Sequence, residues 1–180
     1  MTQAITIFYG STTGNTEKCA RMIHERLGVP STLKDIVDAE LEDFTTPDII
    51  IIGASTWNIG DLQDDWDNFL PRMEGLDLTG KRIAMFGLGD AEFYPDNFLD
   101  ALGLIWDVVK ELGAPELVGV WPTEDYEFTE SVGLYDGDHF LGLGLDEDNE
   151  PERHEQRIDA WLTKVRAELG LPAAGQDAAE

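Results

Sequence analysis

Residues 48–60 read DIIIIGASTWNIG, the most hydrophobic run of the chain followed by a turn that contains a tryptophan. Residues 49–52 are apolar at every position, which is typical of a parallel strand buried on both faces. The turn places Trp57 among small and polar residues, where little of its own backbone is available to pack against. The stretch therefore predicts a central strand that delivers an aromatic side chain to one edge of a sheet.

Short apolar runs alternate with helical patterns on both sides of this strand. Further strands are predicted at residues 4–8, 30–36, 82–86, 117–121 and 139–145, and helices at residues 15–27, 64–73, 97–112 and 152–169. This alternation predicts an α/β fold with a parallel sheet. Since ligands of such sheets bind at the carboxyl ends of the strands, a site is expected in the loops at residues 9–16, 53–62 and 87–97.

The length and composition predict one domain with a real core. The chain has 180 residues, 42% of them hydrophobic, and we expect a single domain over residues 1–170 with a flexible tail at 171–180. The first residues of the sequence show neither the basic segment nor the small-residue cleavage site of a signal peptide. No apolar run approaches the roughly 20 residues needed to span a bilayer. A cytoplasmic location is predicted.

The chain is strongly acidic. Its 12 Lys and Arg residues against 37 Asp and Glu residues give a formal net charge of -25, which argues against nucleic acid or an anionic membrane as a partner. About half of the acidic residues lie in four segments without Lys or Arg, at 61–67, 90–100, 124–138 and 146–152. These segments form either a solvated surface, such as salt adaptation produces, or a face that attracts basic partners.

The first loop has the character of a phosphate site. Residues 10–16 read GSTTGNT between a predicted strand and a predicted helix, so hydroxyl groups and free backbone N–H groups meet at a helix N-terminus, where anions bind. The spacing is neither that of a Walker loop nor that of the dinucleotide fingerprint. A mononucleotide phosphate is one interpretation, and a simple Ser/Thr helix cap is the other.

Two further loops carry aromatic side chains to the same edge of the sheet. Trp57 follows the central strand, and Tyr94 lies four residues after Asp90 in the loop that begins GLGD. Two aromatic rings facing one crevice can hold a flat ring system between them, each face contributing on the order of 1 kcal/mol. Alternatively, Trp57 folds back onto the core and Tyr94 is a surface turn residue.

The sequence predicts no metal site and no nucleophile. Cys19 is the sole cysteine, which excludes an internal disulfide, and its position on the apolar stripe of the first helix predicts an inert core residue. His24, His139 and His154 are scattered without metal-ligand spacing and are predicted to lie on the surface.

Four ordered motifs together resemble the flavodoxins, small electron carriers that bind FMN. These are STTGNT at 11–16, TWNIG at 56–60, GLGD followed by YPDN at 87–97, and GLGLDEDN at 142–149. The resemblance covers residues 4–169, and residues 120–140 are similar to the extra loop of the long-chain class. It implies a three-layer, doubly wound, five-stranded parallel sheet in the order 2-1-3-4-5, with the last strand interrupted by that loop.

The resemblance also implies roles for individual residues. Residues 11–16 would bind the FMN phosphate, Trp57 and Tyr94 would cover the inner and outer faces of the flavin, and the peptide between Asn58 and Ile59 would turn toward its N5 atom. The full set of implied cofactor-binding residues is Ser11, Thr12, Thr13, Gly14, Asn15, Thr16, Thr56, Trp57, Asn58, Ile59, Gly60, Gly89, Asp90, Tyr94, Asn97 and Asp146. Thr56, Asn97 and Asp146 would lie near the ribityl chain.

By the same resemblance, the chain would be a low-potential one-electron carrier rather than an enzyme. It would hold FMN non-covalently, shuttle between the semiquinone and the hydroquinone, and act as a monomer. Its partners would be basic-surfaced redox enzymes, such as reductases, a nitrogenase reductase or a photosynthetic donor. An FMN-dependent quinone reductase on the same fold is the alternative. A phosphate-accepting receiver domain is excluded because Tyr9, Gly10 and Ser11 stand where it needs acidic residues.

Overall fold

The computed structural model describes residues 2–175. Over these residues the strands are β1 (Ile5–Tyr9), β2 (Thr32–Asp35), β3 (Ile49–Trp57), β4 (Asp61–Leu62), β5 (Arg82–Leu88), β6 (Glu116–Val118), β7 (Trp121–Pro122), β8 (Leu134–Asp136), β9 (His139–Phe140) and β10 (Leu143–Leu145). The helices are α1 (Asn15–Arg26), α2 (Glu42–Thr45), α3 (Asp64–Phe69), α4 (Asp100–Val109) and α5 (His154–Leu169).

The main sheet is parallel and has five positions. Strands β2, β1, β3 and β5 lie side by side in that order, and both β6 and β10 pair with β5. β6 pairs with residues 82–84 of β5 and β10 with residues 86–88, so the two short strands share the fifth position. The predicted order 2-1-3-4-5 and the predicted interruption of the last strand are both confirmed.

The central strand separates two apolar clusters, as its sequence predicts. Ile50 and Ile52 face the cluster that contains Trp66 and helix α4, whereas Ile49 and Ile51 face the cluster of helices α1 and α5. Successive side chains of a strand point to opposite faces, and all four isoleucines are at most 1% exposed. The sheet therefore lies between two helical layers.

The segment between β6 and β10 folds onto the sheet edge. Strands β7, β9 and β8 form a small antiparallel sheet, and the backbone N–H groups of Thr129 and Glu130 donate to the Pro95 carbonyl at 2.8 and 3.0 Å. The Ser131 hydroxyl donates to the Phe98 carbonyl. This inserted segment therefore supports the loop that carries Tyr94.

All four predicted helices are shorter in the structure, and the two that differ by more than two residues, α3 and α4, each have a local cause. Leu99 has a φ of 60°, a left-handed conformation that prevents the fourth helix from starting at residue 97. Helix α3 ends at Phe69 and continues as a 3-10 turn at Leu70–Met73, where Pro71 lacks the N–H that an α-helix would use.

The end of the chain is described only in part. Residues 171–175 contain neither helix nor strand, and Leu171 packs against the cluster of α1 and α5. Residues 176–180 of the predicted tail lie outside the described residues. Within residues 2–175, no helix is long and apolar enough to cross a membrane.

Candidate functional site

A cleft of about 400 Å³ opens at the carboxyl end of the sheet. The loops that follow β1, β3, β5 and β10 form it, as expected for a parallel α/β sheet. Its lining residues are Ser11, Thr12, Thr13, Asn15, Thr16, Ser55, Thr56, Trp57, Asn58, Leu88, Gly89, Asp90, Tyr94, Glu147 and Asp148. The three loops selected from the sequence thus meet in one place, joined by a fourth.

The first loop leaves the start of helix α1 open to an anion. Gly14 occupies the N-cap with a φ of 91°, and no side chain of the described residues caps the helix. The Ser11 hydroxyl instead accepts a hydrogen bond from the Gly14 N–H at 3.1 Å. The uncapped first-turn N–H groups and the helix dipole then favour a bound negative group. These residues fit a phosphate.

A buried glutamine ties this loop to the second loop. Gln63 is 1% exposed, its side-chain amide donates to Thr12 Oγ1 at 3.2 Å, and its Oε1 accepts from the Trp66 N–H. The Trp66 indole N–H in turn donates to the Gly53 carbonyl at 2.9 Å. Gln63 is not predicted from the sequence, although a polar residue directly before a helix was an available signal.

The second loop is a tight hairpin that presents Trp57. Strands β3 and β4 pair so that Trp57 lies opposite Asp61, and both Asn58 and Gly60 have positive φ values, 46° and 83°. The Trp57 indole N–H donates to Ser55 Oγ at 2.8 Å, which fixes the ring in the cleft wall. Ile59 is 79% exposed at the tip of the turn.

The third loop is folded by the side chain of Asp90. Its carboxylate accepts from the N–H groups of Glu92 and Phe93 at 3.1 and 2.9 Å and from the Asn149 side-chain amide at 2.9 Å. Tyr94 follows, lines the cleft and remains 43% exposed. Asp90 therefore shapes the loop with its side chain.

The three residues expected near a ribityl chain are placed differently from one another. Thr56 lines the cleft while its hydroxyl accepts from the Ala101 N–H at 3.0 Å. Asn97 is not among the lining residues, and its amide donates to Asp100 at 2.9 Å. Asp146 is 1% exposed, and its carboxylate accepts from the N–H groups of Ala91 and Asn149.

The fourth loop contributes two acidic residues that sequence analysis missed. Glu147 and Asp148 line the cleft in the place expected for Asp146, which instead faces a neighbouring cavity of about 600 Å³. The carboxyl-end rule applied to the last strand would have found them. Burial first, and then the charges of Asp90, Asp146 and Glu147, raise the pKa of Asp148 above its ordinary value.

Acidic residues surround the cleft on both sides. Asp61, Asp64 and Asp67 line an adjoining cavity with Trp57 and Asn58. On the other side, the described residues that line the cavity next to the Tyr94 loop include one basic residue, Arg153, and the acidic residues Glu92, Asp125, Glu127, Asp146 and Glu150. The predicted acidic segments are thus gathered around one site.

The prediction that His154 lies on the surface is wrong. His154 is 2% exposed because it begins helix α5, which packs beside α1 on the same face of the sheet. His24 is half-buried and its ring bonds with the Ser31 hydroxyl, whereas the His139 side chain is 40% exposed. Cys19 is buried, as predicted.

Comparison with known proteins agrees with this geometry. A family model described as flavodoxin matches residues 7–161. Flavodoxin 1 of Salmonella typhimurium is 48% identical over 166 residues, covering 92% of this chain and 94% of that protein. A flavodoxin of Klebsiella pneumoniae is 46% identical over 168 residues, covering 93% of this chain and 95% of that protein.

A solved structure shows the same fold. The crystal structure of Fusobacterium nucleatum flavodoxin bound to flavin mononucleotide matches with a TM-score of 0.86 at 27% identity, covering 93% of this chain and 99% of that chain. The family model and the relatives extend over most of the chain, and they include the loops that form the cleft. The chain belongs to the flavodoxin family.

Proposed function

We propose that the cleft binds FMN between Trp57 and Tyr94, with the phosphate at the N-terminus of α1. The observation that carries this assignment is that an uncapped helix N-terminus and two aromatic side chains line one cleft at the carboxyl end of the sheet. As a flavodoxin, the chain is an electron-transfer protein that uses FMN and not an enzyme with a substrate of its own. When bound, FMN takes up and releases electrons one at a time.

The chain's residues bind and orient this group. Residues 11–16 supply hydroxyl and backbone N–H donors for the phosphate, and Gln63 holds Thr12 in place. The backbone of Asn58, Ile59, Gly60, Gly89 and Asp90 would face the polar edge of the ring. Thr56 would lie beside the ribityl chain, whereas Asn97 and Asp146 form hydrogen bonds with Asp100 and Ala91 next to the cleft.

The surrounding carboxylates disfavour added negative charge in the cleft. Asp90, Glu147 and Asp148 line it directly, and the adjoining cavities carry further acids. A reduced, negatively charged group held there is destabilised by Coulomb repulsion in a partly desolvated site. Each 1.4 kcal/mol of that repulsion lowers a one-electron potential by about 59 mV, so we expect a strongly reducing carrier.

The rim of the cleft suits docking by a basic redox enzyme. Ile59 and Phe93 are 79% and 74% exposed beside Trp57 and Tyr94, and acidic residues surround them. An apolar centre within a charged rim is typical of interfaces between proteins, and long-range attraction speeds the encounter of opposite charges. The identity of the partner enzymes, the monomeric state and the cytoplasmic location remain predictions.

A stepwise reductive titration of the purified protein tests this function. We expect a flavin absorption spectrum with one FMN per chain, two separated one-electron steps, and a lower potential for the second step. Protein isolated without FMN that also fails to bind added FMN would overturn the assignment. Reduction in a single two-electron step, with rapid NAD(P)H-driven reduction of a quinone, would point to the reductase alternative.

A further inference from the structure

Three metal-ligating side chains meet behind the wall of the cleft. Cys19 lies on α1, Glu147 on the loop after β10, and His154 at the start of α5, and their donor atoms all lie within 4.8 Å of one another. Cys19 Sγ is 3.7 Å from His154 Nδ1, and this Nδ1 atom is 3.0 Å from Glu147 Oε2. Cys19 is 0% exposed and His154 2% exposed.

Two polar atoms in this cluster lack a partner. Among the described residues, neither Glu147 Oε2 nor His154 Nε2 has a hydrogen-bond partner, although both atoms are buried. Glu147 Oε2 and His154 Nδ1 are therefore 3.0 Å apart without a hydrogen bond between them. Leaving Glu147 Oε2 unsatisfied costs on the order of 1–3 kcal/mol, which points to a further ligand on that atom. The other unpartnered atom, His154 Nε2, is not the ring nitrogen that lies near Cys19 and Glu147, and it plays no part in the site.

We propose that Cys19 Sγ, His154 Nδ1 and Glu147 Oε2 bind one Zn²⁺ ion. With the usual zinc bond lengths, tetrahedral geometry puts sulfur and nitrogen about 3.6 Å apart and nitrogen and oxygen about 3.4 Å apart. The distances of 3.7 and 3.0 Å are within a few tenths of an ångström of these values. The third pair, Cys19 Sγ and the Glu147 oxygen, lies within 4.8 Å, against about 3.6 Å in such a site, so metal binding draws these two atoms together by at most about 1 Å.

The donor set favours Zn²⁺ over Mg²⁺ and Ca²⁺. A thiolate with imidazole and carboxylate is typical of Zn²⁺ sites, whereas Mg²⁺ and Ca²⁺ prefer oxygen donors only. Lys18 Nζ bonds Glu147 Oε1 at 2.8 Å, so the lysine orients the carboxylate and leaves Oε2 for the metal. Three protein ligands leave the fourth position for a water molecule.

Metal binding at this site exchanges one proton for one ion. Burial, and next the charge of Glu147, raises the pKa of the Cys19 thiol to about 12, so the metal-free protein holds S–H there. Burial also lowers the pKa of His154, which keeps its ring neutral. Zn²⁺ then replaces the thiol proton, which leaves to solvent, and the local charge rises by one unit beside the Glu147 wall of the cleft.

X-ray absorption at the zinc edge tests the proposal directly. The FMN-containing protein, free of any histidine tag, is loaded with Zn²⁺ alone and dialysed against a weak chelator. We expect one zinc per chain and one sulfur ligand at about 2.3 Å. Since Cys19 is the sole cysteine of the chain, a thiolate ligand identifies the site, and a spectrum with nitrogen and oxygen ligands only would overturn it.

Substitutions separate this cluster from surface binding. Loss of an outer-shell partner already weakens metal affinity by about 10–100-fold, so we expect Cys19→Ala, His154→Gln and Glu147→Gln each to weaken Zn²⁺ binding by about 100-fold or more. His139→Gln is the matched control, because His139 forms an exposed pair with Asp136 at 3.0 Å, and it should leave the affinity unchanged. If Cys19→Ala folds poorly, Glu147→Gln provides the test, because Glu147 is partly exposed and its substitution disturbs the core less. An unchanged Zn²⁺ affinity in Glu147→Gln contradicts the proposal.

Discussion

Asp100 Oδ2 lies 2.7 Å from the position that a Cβ atom on Gly60 would occupy. The same carboxylate accepts from the Asn97 amide and from the Val132 N–H, so the inserted segment, the start of α4 and the Trp57 hairpin share one buried anchor. The Trp57 hairpin therefore lies against a residue that is not part of the cleft lining.

We expect Gly60→Ala to weaken both folding and FMN binding. The φ of 83° and the close approach of Asp100 oppose a side chain there, at a cost of about 1–3 kcal/mol in the free energy of unfolding. Gly75→Ala is the control, since Gly75 has a φ of 86° but nothing within 4 Å of its Cβ position. Urea denaturation and FMN titration of both variants check this, and equal FMN affinities would contradict it.

Trp57→Ala should weaken FMN binding about tenfold or more, because loss of a stacked face removes on the order of 1 kcal/mol in addition to the buried area. Tyr135→Ala serves as the control, since Tyr135 is 58% exposed and does not line the cleft. Fluorescence titration of the FMN-free protein measures both affinities. Parent-like affinity in Trp57→Ala would remove the stacking role.

Gln63→Leu should weaken FMN binding through Thr12. The substitution removes the 3.2 Å hydrogen bond to Thr12 Oγ1 and the cap of α3, the latter costing about 1 kcal/mol of stability. Combining it with Thr12→Val in a double-mutant cycle isolates the interaction. We expect the two effects on FMN affinity to be non-additive, and full additivity would show that Gln63 acts only on stability.

Asp148→Asn should raise the free energy of unfolding at neutral pH. The raised pKa means that the folded protein holds the proton more tightly than the unfolded chain, so stability falls as pH rises through that pKa. The gain should disappear below about pH 4, where the carboxyl is protonated in both states. Urea denaturation at several pH values measures it.

Asp77→Asn should lower the free energy of unfolding at neutral pH, which is the opposite of the effect expected for Asp148→Asn. Hydrogen bonds from Thr79 lower the pKa of Asp77, so its charged form stabilises the fold above the ordinary pKa, and this contribution is lost as pH falls through the lowered value. The variant should be less stable than the parent at neutral pH and equal to it in strong acid. Parallel pH profiles for the two variants would contradict both expectations.

The local patterns of the chain were sufficient to predict its architecture. The alternation of apolar strands with amphipathic helices predicted the parallel sheet, because a sheet with helices on both faces needs strands that are apolar on both faces. The fully apolar run at 49–52 marked the central strand. The loops at the carboxyl ends identified Trp57, Tyr94 and residues 11–16, since strand polarity brings those loops together. The strand order itself came from the family resemblance.

The directions of the side chains inside the site could be read only from the folded structure. The sequence of the fourth loop does not show that Asp146 faces Ala91 while Glu147 and Asp148 line the cleft, because adjacent residues in a turn differ only by backbone torsion. Gln63 meets Thr12 across 51 residues, and no local pattern encodes that contact.

By itself, the sequence determined the sheet, the acidic character and the family, all of which rest on periodicity, composition and ordered motifs. Only the tertiary structure decided what Cys19 and His154 are next to. These residues are 135 positions apart, and their spacing predicts nothing, yet the packing of α5 against α1 places a thiol, an imidazole and a carboxylate together. A helix buries whichever residues face its neighbour, so chemistry at a helix contact is fixed by packing and not by spacing.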